Sequence, residues 1–341
     1  MGTQLGHIYR QLTFKPKPLS QDVRLDGQTA IVTGTSAGGL GFEAAKELAG
    51  HGLARLILAV RTVNSGETAK QQIVEQSPSC DVRVWAVDHE SFESMATFAA
   101  RARSELHRLD IVLLSAGVKN LEFVRSKTGH ESNVQIEKGE INHLGTAYLS
   151  LLLLPALHNT AKQTGRPAHL SIVASEVHFW TPFDERHAPS ILQRLDEESS
   201  FKRGDMERYN TSKLLNILWT REISSGTASQ VSGGSGSVTI NAANPGFCAS
   251  ALHRSHEIPG QAFISRVLAW TPAQGGHCLA DAVCRHNDQR GAYVSEQEMK
   301  APSSFVTSAD GEIAQKRLWE ETIALLKEVD PSFDTKSLLE G

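Results

Sequence analysis

Seven short runs of aliphatic and β-branched residues, separated by stretches long enough for amphipathic helices, constrain this chain more than anything else in it. They are TAIVTG at 29–34, ARLILAV at 54–60, DVRVWAVD at 81–88, LDIVLLSAG at 109–117, HLSIVAS at 169–175, SVTINAANPG at 237–246 and GAYVS at 291–295. Runs that are largely apolar predict strands buried on both faces. Strands alternating with helices predict parallel pairing through right-handed crossovers. The expected architecture is α/β: a single-domain Rossmann fold, with a doubly wound, seven-stranded parallel sheet and helices on both faces. Such sheets bind ligands in a crevice at the carboxyl ends of their strands, so the chemistry should lie in the segments that follow each run.

The chain is 341 residues long, which one sheet of this kind accommodates. Residues 1–25, with Pro16 and Pro18 among lysines, read as an N-terminal arm laid over the domain. The body spans 26–300, including substrate loops at 176–208 and 247–270, and 301–341 reads as a C-terminal helical extension. The Gly/Ser-rich stretch at 226–237 is expected to be a flexible loop. A formal net charge of −4 provides no bulk positive field for nucleic acid or anionic lipid. The N-terminus lacks the apolar core of a signal peptide. The most apolar stretch, YLSLLLLPAL at 148–157, is about half the ~20 residues of a spanning helix and is expected to stop at Pro155. A cytoplasmic protein with no membrane span is expected. Cys80, Cys248, Cys278 and Cys284 match no metal or redox spacing and read as buried or semi-buried thiols. His253 and His256 lack a third ligand, so no metal site is expected.

The first run feeds directly into TGTSAGGLG, and helix formers follow from Phe42. In a strand-to-helix turn, glycine allows positive φ and lets the backbone approach a pyrophosphate at the helix's N-terminal end. Gly34, Thr35, Ser36, Gly39, Leu40 and Gly41 are therefore candidate cofactor contacts, with ligand-free tight turns as the structural alternative. Arg61 stands where an NAD site carries an acid for the ribose 2′-hydroxyl, and an arginine there pairs with the 2′-phosphate of NADP. It could equally be a solvated arginine at a strand end. Asp88 is placed to accept from the adenine amine or to cap the helix after it.

YNTSK at 209–213 opens another helix, with Tyr209 and Lys213 one turn apart on one face. A free phenol has a pKa of ~10, and a nearby ammonium lowers it towards the range useful in acid/base catalysis.

Taken together, TGTSAGGLG, VD at 87–88, SAG at 115–117, INHLG at 141–145, VASEVH at 173–178, YNTSK and NPGFCAS at 244–250 resemble the short-chain dehydrogenase/reductase family in order and spacing over about residues 25–300. The resemblance implies that Tyr209 is the general acid, that Lys213 lowers its pKa and holds the nicotinamide ribose, and that Ser175 hydrogen-bonds the substrate oxygen. It implies that Asn142 holds a relaying water and that Pro245, Gly246 and Ser250 meet the nicotinamide end. Ser115, Ala116 and Gly117 replace the family's NNAG beside the cofactor. Bland roles exist for several of these: a strand-end serine at 175, a solvent-facing Asn142, a plain turn at NPG. The glycine turn is one residue longer than the family's TGxxxGxG, and SAG lacks the amides that usually tie that strand end to its neighbours.

Between Ser175 and Tyr209 lie 33 residues whose start carries Phe179, Trp180 and Phe183. These, with Phe247 and Leu252, are expected to line a site for a bulky, apolar carbonyl compound, with core packing as the alternative for the aromatics. The tail from 272 looks like that of the retinol-dehydrogenase-like branch and of fungal secondary-metabolism reductases. The function implied is an NADPH-dependent carbonyl reductase, monomeric or homodimeric. A non-redox dehydratase or cyclase on the same fold, or a catalytically silent binding protein, are the alternatives.

Overall fold

All seven runs form strands: β1 Thr29–Thr33, β2 Arg55–Val60, β3 Asp81–Ala86, β4 Ile111–Leu114, β5 Ala168–Val173, β6 Val238–Asn244 and β7 Ala292–Ser295. This computed structural model describes residues 3–117, 123, 143–202, 206–228, 237–249, 266–286 and 291–340. The seven strands pair in parallel in the order β3-β2-β1-β4-β5-β6-β7. Among the described residues the sheet has eight strands, not the expected seven, because β8, Glu298–Lys300, pairs antiparallel with β7. The hairpin turns through Glu296 and Gln297, whose φ values of 48° and 56° are both left-handed. Two left-handed residues make the turn whose twist matches paired strands.

The helices are α1 Gln4–Thr13, α2 Leu40–Gly50, α3 Val63–Gln76, α4 Phe92–Glu105, α5 Leu144–Thr164, α6 Ile191–Leu195, α7 Glu207–Ala228, α8 Pro272–Cys284, α9 Ala309–Val329 and α10 Thr335–Glu340. Adjacent residues of β1 face opposite ways: Ile31 joins a core under α4, α5 and α7, whereas Ala30 and Val32 join one under α2 and α8. Both faces of the sheet are thus covered. The α5 helix does not stop at Pro155 but runs through it. An interior proline costs about 3 kcal/mol, and the fully buried Leu151, Leu153, Leu154 and Leu157 each return about 2 kcal/mol. Among the described residues no helix is long and apolar enough to cross a membrane.

The connection from β5 to α7 packs against α9 through polar anchors. Glu321 accepts hydrogen bonds from the backbone N–H groups of Ile191 and Leu192, at 3.0 and 2.9 Å, and so caps α6. Arg317 donates to the carbonyls of Arg186 and Ala188, both at 2.6 Å. Trp319 of α9 stacks on Trp219 of α7 with ring centroids 4.8 Å apart. In the strand order the chain leaves β1 towards β2 on one side and returns to β4 on the other. The carboxyl edge between β1 and β4 is therefore the switch point at which ligands bind in such sheets.

Candidate active site

At that edge β1 ends in Thr33 and turns through the glycine segment into α2. Gly34 has φ +69°, and a Cβ there would lie 3.0 Å from backbone atoms of Ser115 and Ala116. A Cβ on Gly41 would lie 2.8 Å from the Thr33 carbonyl oxygen and 2.9 Å from that of Gly34. The first turn of α2 therefore packs against β1 at a distance only glycine allows. Within this longer turn Gly38 is left-handed (φ +77°), and a Cβ there would meet nothing within 4 Å. Gly39 is the N-cap of α2 and has no side chain to cap with. Thr35 is fully buried, and its Oγ1 has no hydrogen-bond partner among the described residues. A buried unpaired hydroxyl beside uncapped helix N–H groups suits the phosphates of a dinucleotide.

The strand end at SAG is tied despite the missing amides. The Thr33 hydroxyl accepts hydrogen bonds from the N–H groups of Ser115 and Ala116, both at 2.9 Å. One hydroxyl thus joins β1 to β4 from the opposite strand, a tie that could have been sought in the threonine preceding the glycines.

Arg61 is the first residue after β2, and its guanidinium meets the buried Glu90 carboxylate at 3.0 Å while staying 57% exposed. Asp88 does not cap α4, because Ser91 does so by accepting from the Ser94 N–H at 3.1 Å. The Asp88 carboxylate instead accepts from the N–H of Glu90 at 2.9 Å, which orders the turn carrying Arg61's partner.

On the other side of the edge, α7 carries Tyr209 and Lys213, both buried, with the Lys213 Nζ 5.6 Å from the centre of the Tyr209 ring. Lys213 donates to the Val173 carbonyl at 3.2 Å, and Asn216, nearly one turn further on, donates to the same oxygen at 3.3 Å. Val173 is the last residue of β5 and Ser175 lies two residues beyond, so this carbonyl fixes α7 against the strand that presents the serine. Burial pushes the Lys213 ammonium down to about 8, which still leaves it mostly charged at neutral pH. Ser175 Oγ accepts from the Val177 N–H at 3.4 Å, capping a single 3-10 turn over Glu176–Trp180. A hydroxyl used as an acceptor keeps its proton for donation.

Two residues that the motif reading passed over hold this edge together. His178 Nδ1 bonds the Ser175 carbonyl at 2.7 Å, and its Nε2 accepts from the Ser303 N–H at 3.1 Å. Burial pushes this imidazole down to about 4, so it is neutral and braces Ser175 without proton chemistry. Asn244 Oδ1 accepts from the N–H groups of Glu176 and Gly246, at 3.2 and 3.1 Å, and so couples the turn after β5 to the turn after β6. Pro245 and Gly246 lie in the second of these turns.

Of the aromatic residues expected around the substrate, Phe179 and Trp180 are partly exposed, and Phe247 likewise. Phe183 is a correction: it is 1% exposed and packs in the core against Phe305, at 5.9 Å between ring centroids. Its backbone is left-handed, at φ 50°, which no sequence signal indicated. Asn142, Ser250 and Leu252 lie outside the described residues. Cys80, Cys248 and Cys278 are buried free thiols and Cys284 is partly buried, as the spacing predicted.

The family model for short chain dehydrogenases matches residues 28–181. The short chain dehydrogenase sol3 of Alternaria solani is 64% identical over 300 residues, which is 88% of this chain and 100% of that protein. The short chain dehydrogenase/reductase dmxR8 of Cryptosporiopsis sp. is 33% identical and covers 96% of this chain and 98% of its own length. Among solved structures, Pseudomonas aeruginosa RhlG in its NADP active-site complex shares the fold with a TM-score of 0.58 and 19% identity, covering 81% of this chain and 97% of that one. L-sorbose reductase from Gluconobacter frateurii, complexed with NADPH and L-sorbose, does so with a TM-score of 0.57 and 17% identity, covering 80% and 96%. The structural neighbours match the architecture, but identity sustained across almost the whole chain in the Alternaria relative matches its descent, and the chain belongs to the short-chain dehydrogenase family.

Proposed function

We propose that this chain is an NADPH-dependent carbonyl reductase acting on a bulky, apolar ketone or aldehyde. The observation that carries the proposal is the shared Val173 carbonyl, which locks Lys213 and the helix bearing Tyr209 onto the strand that ends at Ser175. Bound NADPH would supply the hydride for the carbonyl carbon. The turn from Gly34 to Gly41 and the N-terminus of α2 would hold its phosphates, and Pro245 and Gly246 its carboxamide end. Ser175 would donate to the substrate oxygen and stabilise the charge that grows there. Tyr209 would give that oxygen its proton, while the Lys213 ammonium favours phenolate over phenol once the proton has left. The buried surroundings of Lys213 and Tyr209 keep water from competing for these bonds. Asn142 remains the candidate for a relaying water.

Arg61 supports NADP over NAD, in keeping with the NADP and NADPH carried by the two structural neighbours. Glu90 shares its guanidinium, so a 2′-phosphate would take up the donors that Glu90 leaves. Arg61→Ala is expected to weaken NADPH binding about tenfold or more, the value of a charge-assisted contact, and to leave NADH binding unchanged. Fluorescence titration of both cofactors checks this, and equal losses would remove Arg61 from the 2′-phosphate site.

The function itself is tested by supplying NADPH with a panel of aromatic and aliphatic ketones and aldehydes. A product heavier by two hydrogens, formed as NADPH is consumed, is the expected result. A product of unchanged mass, or one lighter by water, would instead assign the tyrosine to cyclisation or dehydration.

A further inference from the structure

The α1 helix is attached the wrong way round for an element held by hydrophobic burial. Leu5, Tyr9 and Leu12 are 79%, 68% and 54% exposed, whereas Gln11 is 6% exposed. What fixes this helix to the body is therefore a set of polar contacts to particular loops. His7 Nδ1 bonds the buried Glu176 carboxylate at 2.6 Å, and Arg10 pairs with the same carboxylate, one residue beyond Ser175. Gln11 lies over the turn after β6.

There its side-chain amide behaves like a short piece of sheet. Its Oε1 accepts from the Phe247 N–H at 3.1 Å and its Nε2 donates to the Phe247 carbonyl at 2.9 Å, so amide and peptide pair at two points. The same Nε2 donates to the Leu268 carbonyl at 2.9 Å, and the Gln11 carbonyl accepts from the Trp270 indole N–H at 2.9 Å. Trp270 in turn pairs with Phe247, its N–H reaching the Phe247 carbonyl at 2.8 Å. Between them sits Gly246, left-handed at φ +78°, where a Cβ would lie 2.3 Å from the Trp270 ring and 3.0 Å from Gln11 Oε1. The turn is enclosed by Asn244 from beneath the sheet edge and by Gln11 and Trp270 from the arm side.

We propose that Gln11 is a positioning residue for the Pro245–Phe247 turn, so that α1 is a working part of the cofactor site. The proposal rests on the reading that this turn meets the nicotinamide end. It does not touch the adenosine end, which lies around the turn after β2, and that separation gives the test its discrimination. Gln11→Met keeps the length of the side chain and removes every hydrogen bond of its amide, leaving the backbone carbonyl's bond from Trp270 in place.

The experiment compares calorimetric affinities for NADPH and for adenosine 2′,5′-bisphosphate, which has the adenosine end only. Gln11→Met is expected to weaken NADPH about tenfold, the worth of one to two lost hydrogen bonds, and to leave the bisphosphate within about twofold of wild type. Equal weakening of both ligands would show a merely structural role, and no weakening of either would remove any role, so each result overturns the proposal. Should Gln11→Met not fold, Gln11→Glu keeps the shape of the side chain and an acceptor for the Phe247 N–H, removes the Nε2 donor to the Phe247 and Leu268 carbonyls, and is held to the same expectation and the same refutation at about threefold for NADPH. A wild-type protein that binds neither ligand overturns the cofactor reading itself, whereas wild-type binding with an indifferent Gln11→Met overturns the positioning role alone.

Discussion

Replacing Tyr209 by phenylalanine is expected to lower kcat for carbonyl reduction about a thousandfold while leaving NADPH affinity within about threefold of wild type. The substitution removes one oxygen. The ring stays in place, because Tyr209 is 8% exposed and sits in the first turn of a helix anchored by its own neighbours. Thr211 bonds Thr181 at 2.7 Å, and Lys213 and Asn216 hold the Val173 carbonyl. The geometry that presents Ser175 and the cofactor would therefore survive, and what goes is the proton donor. General acid catalysis by a positioned group is worth about 10²–10⁴ in rate, which sets the size of the fall. Stopped-flow measurement of NADPH oxidation with an accepted ketone checks it. Turnover within about tenfold of wild type would transfer the acid role to another group, with the Ser175 hydroxyl the first candidate.

Much of this arrangement was legible because the residues concerned are constrained locally. Strands buried on both faces must be apolar, so β1, β2 and β4–β7 announced themselves, whereas β3 lies at the sheet edge, half exposed, and was legible from its alternation instead. A glycine whose Cβ would lie 2.8 Å from a carbonyl oxygen has no substitute, so the turn after β1 announced itself too. What escaped depends on partners distant in sequence. The β8 strand is only Glu298–Lys300, with no apolar pattern, and it forms because two left-handed residues that are neither Asn nor Gly return the chain beside β7. Phe183 could wall the substrate site or pack in the core on its sequence alone, because core aromatics and site aromatics have the same composition, and the structure packs it against Phe305. The arm was the hardest case. Leu5, Tyr9 and Leu12 of its α1 helix face outward, so periodicity points to the wrong buried face there, and His7 and Gln11, which dock that helix, are bonded to loops some 165–260 positions away.

Lys213→Met is expected to abolish measurable reduction and, at neutral pH, to make the folded protein more stable. Both effects come from the same burial. Lys213 is 4% exposed, and loss of hydration pushes its ammonium from 10.5 down to about 8. The unfolded chain therefore binds this proton more tightly than the folded one, so keeping the charge in the folded state costs stability below pH 8. At ~1.4 kcal/mol per pKa unit the full cost is about 3 kcal/mol. It shrinks as the pH rises from 8 to 10.5, where only the unfolded chain still holds the proton, and above 10.5 it has gone. Methionine has a similar length and carries no charge to desolvate. The Val173 carbonyl keeps a donor in Asn216, so no buried acceptor is orphaned by the change. The melting temperature of Lys213→Met should exceed that of wild type by about 4 °C at pH 7, with the gap closing towards pH 10.5. Equal melting at pH 7 would mean that the ammonium is solvated better than its burial implies, and a stabilised but inactive variant would show that the charge is retained in the fold for chemistry at the expense of stability.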